Sequence, residues 1–372
     1  MSEYQYYEFQ AIDRALTTKE QAAIKKLSSR VQLSPTQAIF LYNYGDFRGE
    51  PEQVLTQYFD VMLYIANWGT WQLTFRFPKA LVDLDWFEPY QLRDTIIITQ
   101  TSQYIVLDLK INEEEGMQGW VEGEGWLPRL LPLRDDLLQG DVRLLYLVWL
   151  RTAPYLSQYV LEDDPIEPPL PPNLNQLSPQ LKAFVEWVEL DSDLVAAAAQ
   201  ASPSRQSTTA PPLENWLSAL SETERQEFLL KLVRREPHVD LQLISRLKEL
   251  AGQTRSMAPL CSGKRRLSEL HAIAETVKKQ RKKQEREIAR KKRIRELEDL
   301  APKEAQTWTR VEELIALKRA KSYDEATALL QDLHDLAKYQ EQLPEFIRRF
   351  EKLKSDYRRS TALMQRFKTI KW

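Results

Sequence analysis

The sequence predicts an α+β N-terminal domain followed by mainly α-helical regions, which include one long basic helix and a C-terminal helical hairpin. Three observations predict this class. Strand-like alternation and helix-like periods of apolar residues both occur within residues 1–160. A run without proline or glycine extends from Arg265 to Leu300, and a helical apolar period continues after Pro302.

The first elements alternate between strand and helix signals. Two β-prone runs, Tyr4–Phe9 and Ala38–Tyr44, come before a longer apolar segment. That segment has Pro51 at its start and keeps a 3.6-residue period to Ile65, which predicts one helix over Pro51–Ala66. Trp71–Phe77 then alternates large apolar with polar residues, as in a half-buried strand. The polar residues of this strand, expected on the solvent side, are Gln72, Thr74 and Arg76.

A predicted hairpin and two helices complete the N-terminal domain. Thr95–Thr99 and Tyr104–Leu109 are β-prone and are separated by four polar residues. Leucine-rich segments around residues 127–138 and 141–152 predict two helices. This order of elements favours a mixed or antiparallel sheet with helices on one face.

Changes in composition divide the chain into six segments. Repeated prolines indicate a stiff connector after the N-terminal domain, so a fragment of residues 1–172 is predicted to fold alone. Ser221 and Glu224 form a capping-box sequence at the start of one later helix. The predicted segments are an α+β domain at 1–160, a proline-rich linker at 161–177, a small helical domain at 178–251 with a flexible loop at 202–212, a linker at 252–264, the long basic helix at 265–301 and a C-terminal helical unit at 302–372.

The long basic helix is built largely from strong helix formers. Its apolar stripe stops within Lys278–Glu287 and returns at Ile288, which breaks the heptad pattern of a sustained coiled coil. After Pro302, periodic apolar residues predict a helical hairpin and a third helix.

Charge is separated along the chain although the formal net charge is only -2. Residues 1–260 contain 23 Lys and Arg against 36 Asp and Glu, whereas residues 261–372 contain 29 against 18. Such separation indicates different surfaces for different partners, and an anionic partner is expected on the basic C-terminal part.

Within the long helix, Lys278–Arg295 contains eleven basic residues and two acidic ones, Glu285 and Glu287. An excess of positive charge on all sides of a helix suits contact with phosphates without sequence readout. The alternative is a solvated spacer helix stabilised by i,i+4 pairs such as Lys283 with Glu287. The candidate nucleic-acid or anion-binding residues are Lys278, Lys279, Arg281, Lys282, Lys283, Arg286, Arg290, Lys291, Lys292, Arg293 and Arg295.

The sequence predicts no catalytic residues, no cofactor and no metal site. His238, His271 and His334 have no i+3 or i+4 partner among themselves, and Cys261 is the single cysteine. The carboxylates available to an enzyme have no spacing that separates them from surface charge; they include Asp46, Asp60, Asp83, Asp85 and Asp108. A non-enzymatic protein is therefore favoured over an enzyme.

The aromatic opening of the chain raises a second possibility for nucleic-acid contact. Tyr4, Tyr6, Tyr7 and Phe9 could stack single-stranded bases on a sheet face. The neighbouring alternating strand carries its aromatic residues on one face only, so packing of these rings in the core is favoured.

A family resemblance is carried by several stretches: Ser2–Phe9, Gly45–Gly49, Tyr58–Asp60, Leu63–Thr70 and Tyr323–Leu333, with the basic helix before the last of them. The chain resembles a family of uncharacterised bacterial proteins, and its C-terminal helices are similar to those of bacterial SWIM zinc-finger proteins. The Cys and His set of a zinc finger is not present, so the resemblance implies no metal site. It implies a nucleic-acid-associated accessory protein, with a helicase or a zinc-finger protein as a partner.

These observations favour a non-enzymatic accessory or adaptor protein that contacts a DNA or RNA backbone through the basic helix and partner proteins through its other domains. One alternative is a pure protein scaffold whose basic helix docks an acidic partner, and a weaker one is an enzyme with a carboxylate and tyrosine site in the α+β domain. The sequence has no apolar run near the roughly 20 residues of a membrane span. No membrane partner and a cytoplasmic location are expected.

Overall fold

The computed structural model describes residues 4–113, 122–159, 164–204, 217–234, 236, 238–250, 263–368 and 370. The chain divides into two compact units, Met1–Lys278 and Lys279–Trp372. The first unit contains an antiparallel sheet with helices, and the second is helical. The predicted class, an α+β N-terminal domain followed by mainly helical regions, is therefore confirmed.

The sheet of the first unit has seven described strands in the order β2-β3-β1-β4-β5-β7-β6, and all neighbouring pairs are antiparallel. The predicted hairpin is confirmed as β6 and β7, with Ile98 opposite Leu107. The strands are β1 (Gln5–Gln10), β2 (Gln32–Leu33), β3 (Gln37–Tyr42), β4 (Val61–Ala66), β5 (Thr70–Pro78), β6 (Ile96–Gln100) and β7 (Tyr104–Asn112).

The helices of the first unit precede, interrupt and follow these strands. The predicted capping box is present, since the Ser221 hydroxyl accepts from the Glu224 amide and the Glu224 carboxylate accepts from the Ser221 amide. The helices are α1 (Thr18–Lys25), α2 (Pro51–Tyr58), α3 (Trp126–Leu130), α4 (Leu133–Leu138), α5 (Arg143–Tyr159), α6 (Pro179–Trp187), α7 (Ser192–Ala199), α8 (Glu222–Val233) and α9 (Val239–Leu250).

The predicted single helix over Pro51–Ala66 is wrong in its second half. Helix α2 ends at Tyr58, and Val61–Ala66 forms strand β4, which pairs with β1 on one side and β5 on the other. All six residues of β4 are buried. A short apolar run buried on both faces has no polar positions from which a strand period can be read, so its pattern fits either element.

Helices cover both faces of the sheet, whereas the sequence favoured one. On one face, Ile24 of α1 and Leu55 of α2 pack in a cluster with Phe9 and Phe40. On the other face, Phe75 packs in a larger cluster that contains most of the apolar residues of α5. Both faces of the central strands are therefore core.

Helix α2 covers the face of β5 that carries its polar residues, so the expectation that this face is exposed to solvent is wrong. Thr74 and Arg76, expected on the solvent side, are buried, and Gln72 is half-buried. Arg76 Nη1 donates to the Thr56 carbonyl oxygen of α2 at 2.8 Å. The aromatic opening residues Tyr4, Tyr6, Tyr7 and Phe9 are buried, which confirms the core interpretation over a stacking surface.

The segment predicted as a proline-rich linker belongs to the core of the first unit. Leu170 and Leu174 lie in the same apolar cluster as Leu181 and Phe184 of α6. This segment therefore connects two parts of one hydrophobic core rather than two independent cores. Residues 205–212 of the predicted flexible loop and residues 252–262 of the predicted second linker lie outside the described residues.

The same proline-rich segment holds the start of the long helix, α10 (Leu267–Leu300). Ile166 pairs with Arg266 as an isolated β-bridge, and the Leu267 amide donates to the Pro165 carbonyl oxygen at 3.0 Å. Ser268 donates from its amide and its hydroxyl to the Asp164 carboxylate. The first helical amides therefore have acceptors supplied by residues about 100 positions earlier in the chain.

In its described residues, the second unit contains the rest of α10, a short 3-10 helix at Ala301–Lys303 and four further α-helices. Helix α11 contacts α12 after a connection of three residues, as the predicted hairpin requires, and α13 supplies the predicted third helix. Their apolar faces form one cluster that includes Trp308, Leu330 and Phe350. The helices are α11 (Glu304–Ala316), α12 (Ala320–Tyr339), α13 (Leu343–Asp356) and α14 (Thr361–Phe367).

Leu55→Ala is expected to lower the free energy of unfolding by about 2–5 kcal/mol, because Leu55 is fully buried and its truncation leaves a cavity. Gln57→Ala on the exposed side of the same helix is the matched control and should change stability by less than about 0.5 kcal/mol. Urea unfolding of the two variants measures both values. Equal losses would contradict the assigned buried face of α2.

Candidate nucleic-acid interface

The exposed part of α10 is fourteen residues long and lies in the second unit. Every residue from Lys279 to Lys292 is exposed, over about 21 Å of helix axis. We call residues 279–292 the basic segment. It contains eight Lys and Arg residues against Glu285 and Glu287. Because no apolar face of this segment is covered, its helical state depends on intrinsic propensity and on the continuation of the helix beyond it.

Five cations form one stripe along the basic segment. Successive residues of an α-helix are rotated by about 100°, so these five side chains fall within an arc of about 100°. Together with Glu287 they line a shallow, open groove along the helix. The first stripe consists of Lys279, Lys282, Lys283, Arg286 and Arg290.

Further cations lie on the opposite side of the helix. Their positions centre about 180° from the first stripe, by the same rotation per residue. Glu285 and Glu287 fall between the two stripes, one on each side. The second stripe consists of Arg281, Lys291, Lys292 and, one turn later, Arg295.

Ion pairs distinguish the eleven predicted residues from one another. Arg281 pairs with Glu285 at 2.8 Å, and Lys278, which belongs to the first unit, approaches Glu275 at 3.6 Å. Lys292 is 4.0 Å from Glu296. Apart from Arg293, the other predicted cations form no ion pair within the described part of the chain. Lys283 and Glu287, which were expected to pair, therefore do not. These remaining cations are Lys279, Lys282, Lys283, Arg286, Arg290, Lys291 and Arg295.

Arg293 has a different environment from the other predicted residues. Its Nη2 atom lies 2.8 Å from Asp332 and 2.6 Å from Asp335, both on α12. The hydrogen bonds that it donates to Asp335 and Asp332 raise the pKa of the Arg293 guanidinium. Burial would raise the pKa of Asp335, but the hydrogen bonds from Arg293, Gln331 and His334, together with the Arg293 charge, lower it overall. Arg293 therefore holds α10 against α12 and has its charge compensated within the second unit.

The sequence did not reveal a group of buried charges in the first unit. Asp60, interpreted as surface charge, is 1% exposed and is paired with Arg76. Its Oδ2 atom also accepts from the amides of Ile12 and Asp13 at 2.6 and 2.9 Å. Only the pairing of β4 with β5 brings Asp60 to Arg76, so no spacing in the sequence could indicate this contact.

Asp13 belongs to the same polar group. Its Oδ1 atom is 2.9 Å from Arg134 Nη2, and its Oδ2 atom is 2.7 Å from His238 Nε2. Burial would raise the pKa of Asp13, but hydrogen bonding from His238 and the charge of Arg134 lower it overall. The carboxylates of Asp13 and Asp60 and the guanidinium groups of Arg76 and Arg134 compensate one another, which is the requirement for keeping them buried in a core.

A groove in the first unit has the opposite charge to the basic segment. Its lining combines Trp71, Trp126 and Trp187 with acidic side chains and one cation, Arg129. Arg129 pairs with Glu186 and lies over the Trp126 ring, 4.7 Å from its centroid. Its acidic residues repel a phosphate ligand; they are Glu122, Glu124, Glu186 and Glu189.

Among the described residues, no group of three or more His, Cys, Asp or Glu side chains has an arrangement suited to a metal ion. No helix in this part of the chain is both long enough and apolar enough to cross a bilayer.

Comparisons of the chain with protein-family models, with curated proteins and with solved structures gave no match.

Proposed function

We propose that the protein is a non-enzymatic accessory protein that contacts the phosphate backbone of a nucleic acid through the basic segment of α10. The observation that carries this proposal is the uninterrupted exposure of fourteen residues with eight cations and two carboxylates. Seven of the predicted cations, six of them in this segment, have no internal ion pair among the described residues, so their charge is available to an external anion. Phosphate contacts of this kind position a protein without reading sequence.

A four-charge variant of the first stripe tests the proposal. Lys279→Gln, Lys282→Gln, Lys283→Gln and Arg286→Gln together remove four charges and change helix propensity little. We expect the unmodified chain to bind a random DNA duplex with an affinity that falls steeply with salt, because neutralised phosphates release counterions. The variant should bind much more weakly, and its log–log salt slope should be smaller by roughly 3.6, or 0.9 for each phosphate that is no longer neutralised.

The matched control replaces four exposed lysines elsewhere with glutamine: Lys25, Lys26, Lys338 and Lys352. It has the same net charge as the first-stripe variant, so equal weakening of both would indicate an unspecific effect of net charge. Circular dichroism establishes that helicity is retained. A chain that fails to bind the duplex at low salt would exclude the proposed function.

The accessory half of the proposal concerns protein partners of the other domains, with a helicase or a zinc-finger protein suggested by the sequence resemblance. Affinity purification with and without nuclease distinguishes partners held through nucleic acid from partners bound directly. One outcome is that the unmodified chain retains a partner after nuclease treatment that the first-stripe variant does not retain. If, in addition, neither the unmodified chain nor the variant binds nucleic acid, a scaffold that docks an acidic partner replaces this proposal.

A further inference from the structure

We infer that the basic segment binds within the major groove of duplex DNA, between the two phosphate backbones, instead of lying with one face against a single strand. This inference rests on the proposed function and specifies its ligand. It follows from three properties of the segment: the two opposed stripes, the exposed helix surface between them and the lack of aromatic residues.

The opposed stripes match a ligand that surrounds the helix. The first stripe contains five cations, and the second contains four on the other side, of which Lys291 and Arg295 have no ion pair within the described part of the chain. A single strand or a flat anionic surface can reach one stripe at a time, and the other stripe would then remain solvated. The two backbones that border a groove lie on both sides of an inserted helix, so both stripes can approach phosphates together.

The dimensions of the segment suit this placement. An α-helix with its side chains is about 10–12 Å in diameter, and the major groove of B-form DNA is about 12 Å wide. All residues from 279 to 292 are exposed, so no packed neighbour covers either stripe within that length. The major groove of A-form RNA is deep and narrow, which disfavours a duplex RNA ligand.

The lack of aromatic residues argues against a single-stranded ligand. Proteins that bind single strands stack bases on aromatic side chains, at about 1–3 kcal/mol per base. The sequence from Arg265 to Thr307 contains no Phe, Tyr or Trp. The basic segment can therefore attract a single strand only through its charge. A duplex presents a higher density of phosphates and a groove of the right width.

Two matched double variants of the full chain test the inference. Lys279→Gln with Lys283→Gln removes two charges from the first stripe, and Lys291→Gln with Arg295→Gln removes two from the second. The ligand is a fluorescent DNA duplex of random sequence, roughly 20 base pairs or two turns long. Fluorescence anisotropy at several salt concentrations gives the affinity and the salt slope.

We expect each double variant to weaken duplex binding about tenfold and to reduce the salt slope by roughly 1.8, since each leaves two phosphates without a cation. The combined variant should show the sum of both effects. The unmodified chain should bind the duplex more tightly than the single strand of the same sequence or the corresponding RNA duplex.

Weakening confined to the first-stripe variant would overturn the groove placement and would indicate contact through one face. A single strand or an RNA duplex bound as tightly as the DNA duplex would overturn it as well. In both cases the proposed contact with nucleic acid would stand. Absence of any binding at low salt would instead remove the proposed function and this inference together.

Discussion

A fragment of residues 1–172 is expected to show no cooperative thermal transition, whereas a fragment of residues 1–278 is expected to unfold cooperatively. The reason is the apolar cluster on the helix-rich face of the sheet, which extends across the proline-rich segment. Removal of residues after 172 takes away α6, α7 and the start of α10. The buried apolar residues removed from this cluster are Leu174, Leu181, Ala183, Phe184, Trp187, Val188, Leu190, Leu194, Val195, Ala197, Ala198, Leu267, Leu270 and Ala274.

The size of the expected effect follows from the burial of these side chains. A fully buried Leu, Val or Phe contributes about 1.5–3 kcal/mol relative to an exposed one, and whole domains are stable by only about 5–15 kcal/mol. The short fragment would also expose the partners of these residues on α5 and the sheet. Circular dichroism melts of both fragments measure this difference, and a cooperative transition of the short fragment equal to that of 1–278 would contradict the continuous core.

Arg265→Met is expected to lower the free energy of unfolding by about 3–5 kcal/mol, because it leaves the buried Glu167 carboxylate without its cation. Arg265 Nε and Nη2 lie 2.8 and 2.9 Å from the two carboxylate oxygens. The Tyr146 hydroxyl donates to the same carboxylate at 2.8 Å. Arg265 also donates to the Ala197 and Ala198 carbonyl oxygens, so it joins the start of α10 to α7 as well.

Arg266→Met provides the matched control for Arg265→Met. Arg266 is the next residue in the chain and its side chain is exposed, so its replacement should change stability by less than about 0.5 kcal/mol. Denaturant unfolding of both variants gives the comparison. The double variant Arg265→Met with Glu167→Met should recover part of the stability, because it removes the unpaired buried charge. If Arg265→Met and Arg266→Met have similar stability, the buried pair of Arg265 and Glu167 does not hold the helix start.

Acid should weaken this buried pair. Burial alone would raise the pKa of Glu167, but the hydrogen bonds from Arg265 and Tyr146, together with the Arg265 charge, lower it overall. A carboxyl with a lowered pKa in the folded state stabilises the fold fully above its unfolded pKa, about 4.3 for Glu, and loses this contribution as the pH falls through the folded pKa. The stability difference between the parent and Glu167→Gln should therefore shrink below about pH 4. A difference that stays constant to lower pH would contradict ionisation of Glu167 as its source.

Local chemistry in the sequence determined several elements of this protein. The capping box of Ser221 and Glu224, the hairpin of β6 and β7 and the continuous helix over Leu267–Leu300 all formed as predicted. Each depends on residues close together in the chain: a side chain that caps its own helix, a short polar turn, or helix formers without proline or glycine. The excess of cations in α10 is likewise a property of the sequence, and their exposure follows from the interrupted apolar stripe.

Tertiary structure alone decided the features that depend on distant partners. Val61–Ala66 became a strand because β1 and β5 hydrogen-bond to both of its edges, although its apolar pattern also fitted a helix. Arg76 and Asp60 are buried as a pair because α2 covers their side of the sheet. Arg293 differs from its neighbours because α12 places Asp332 and Asp335 beside it. In each case the stabilising free energy comes from contacts between groups many residues apart in the chain. A local pattern of residues does not encode which distant groups meet.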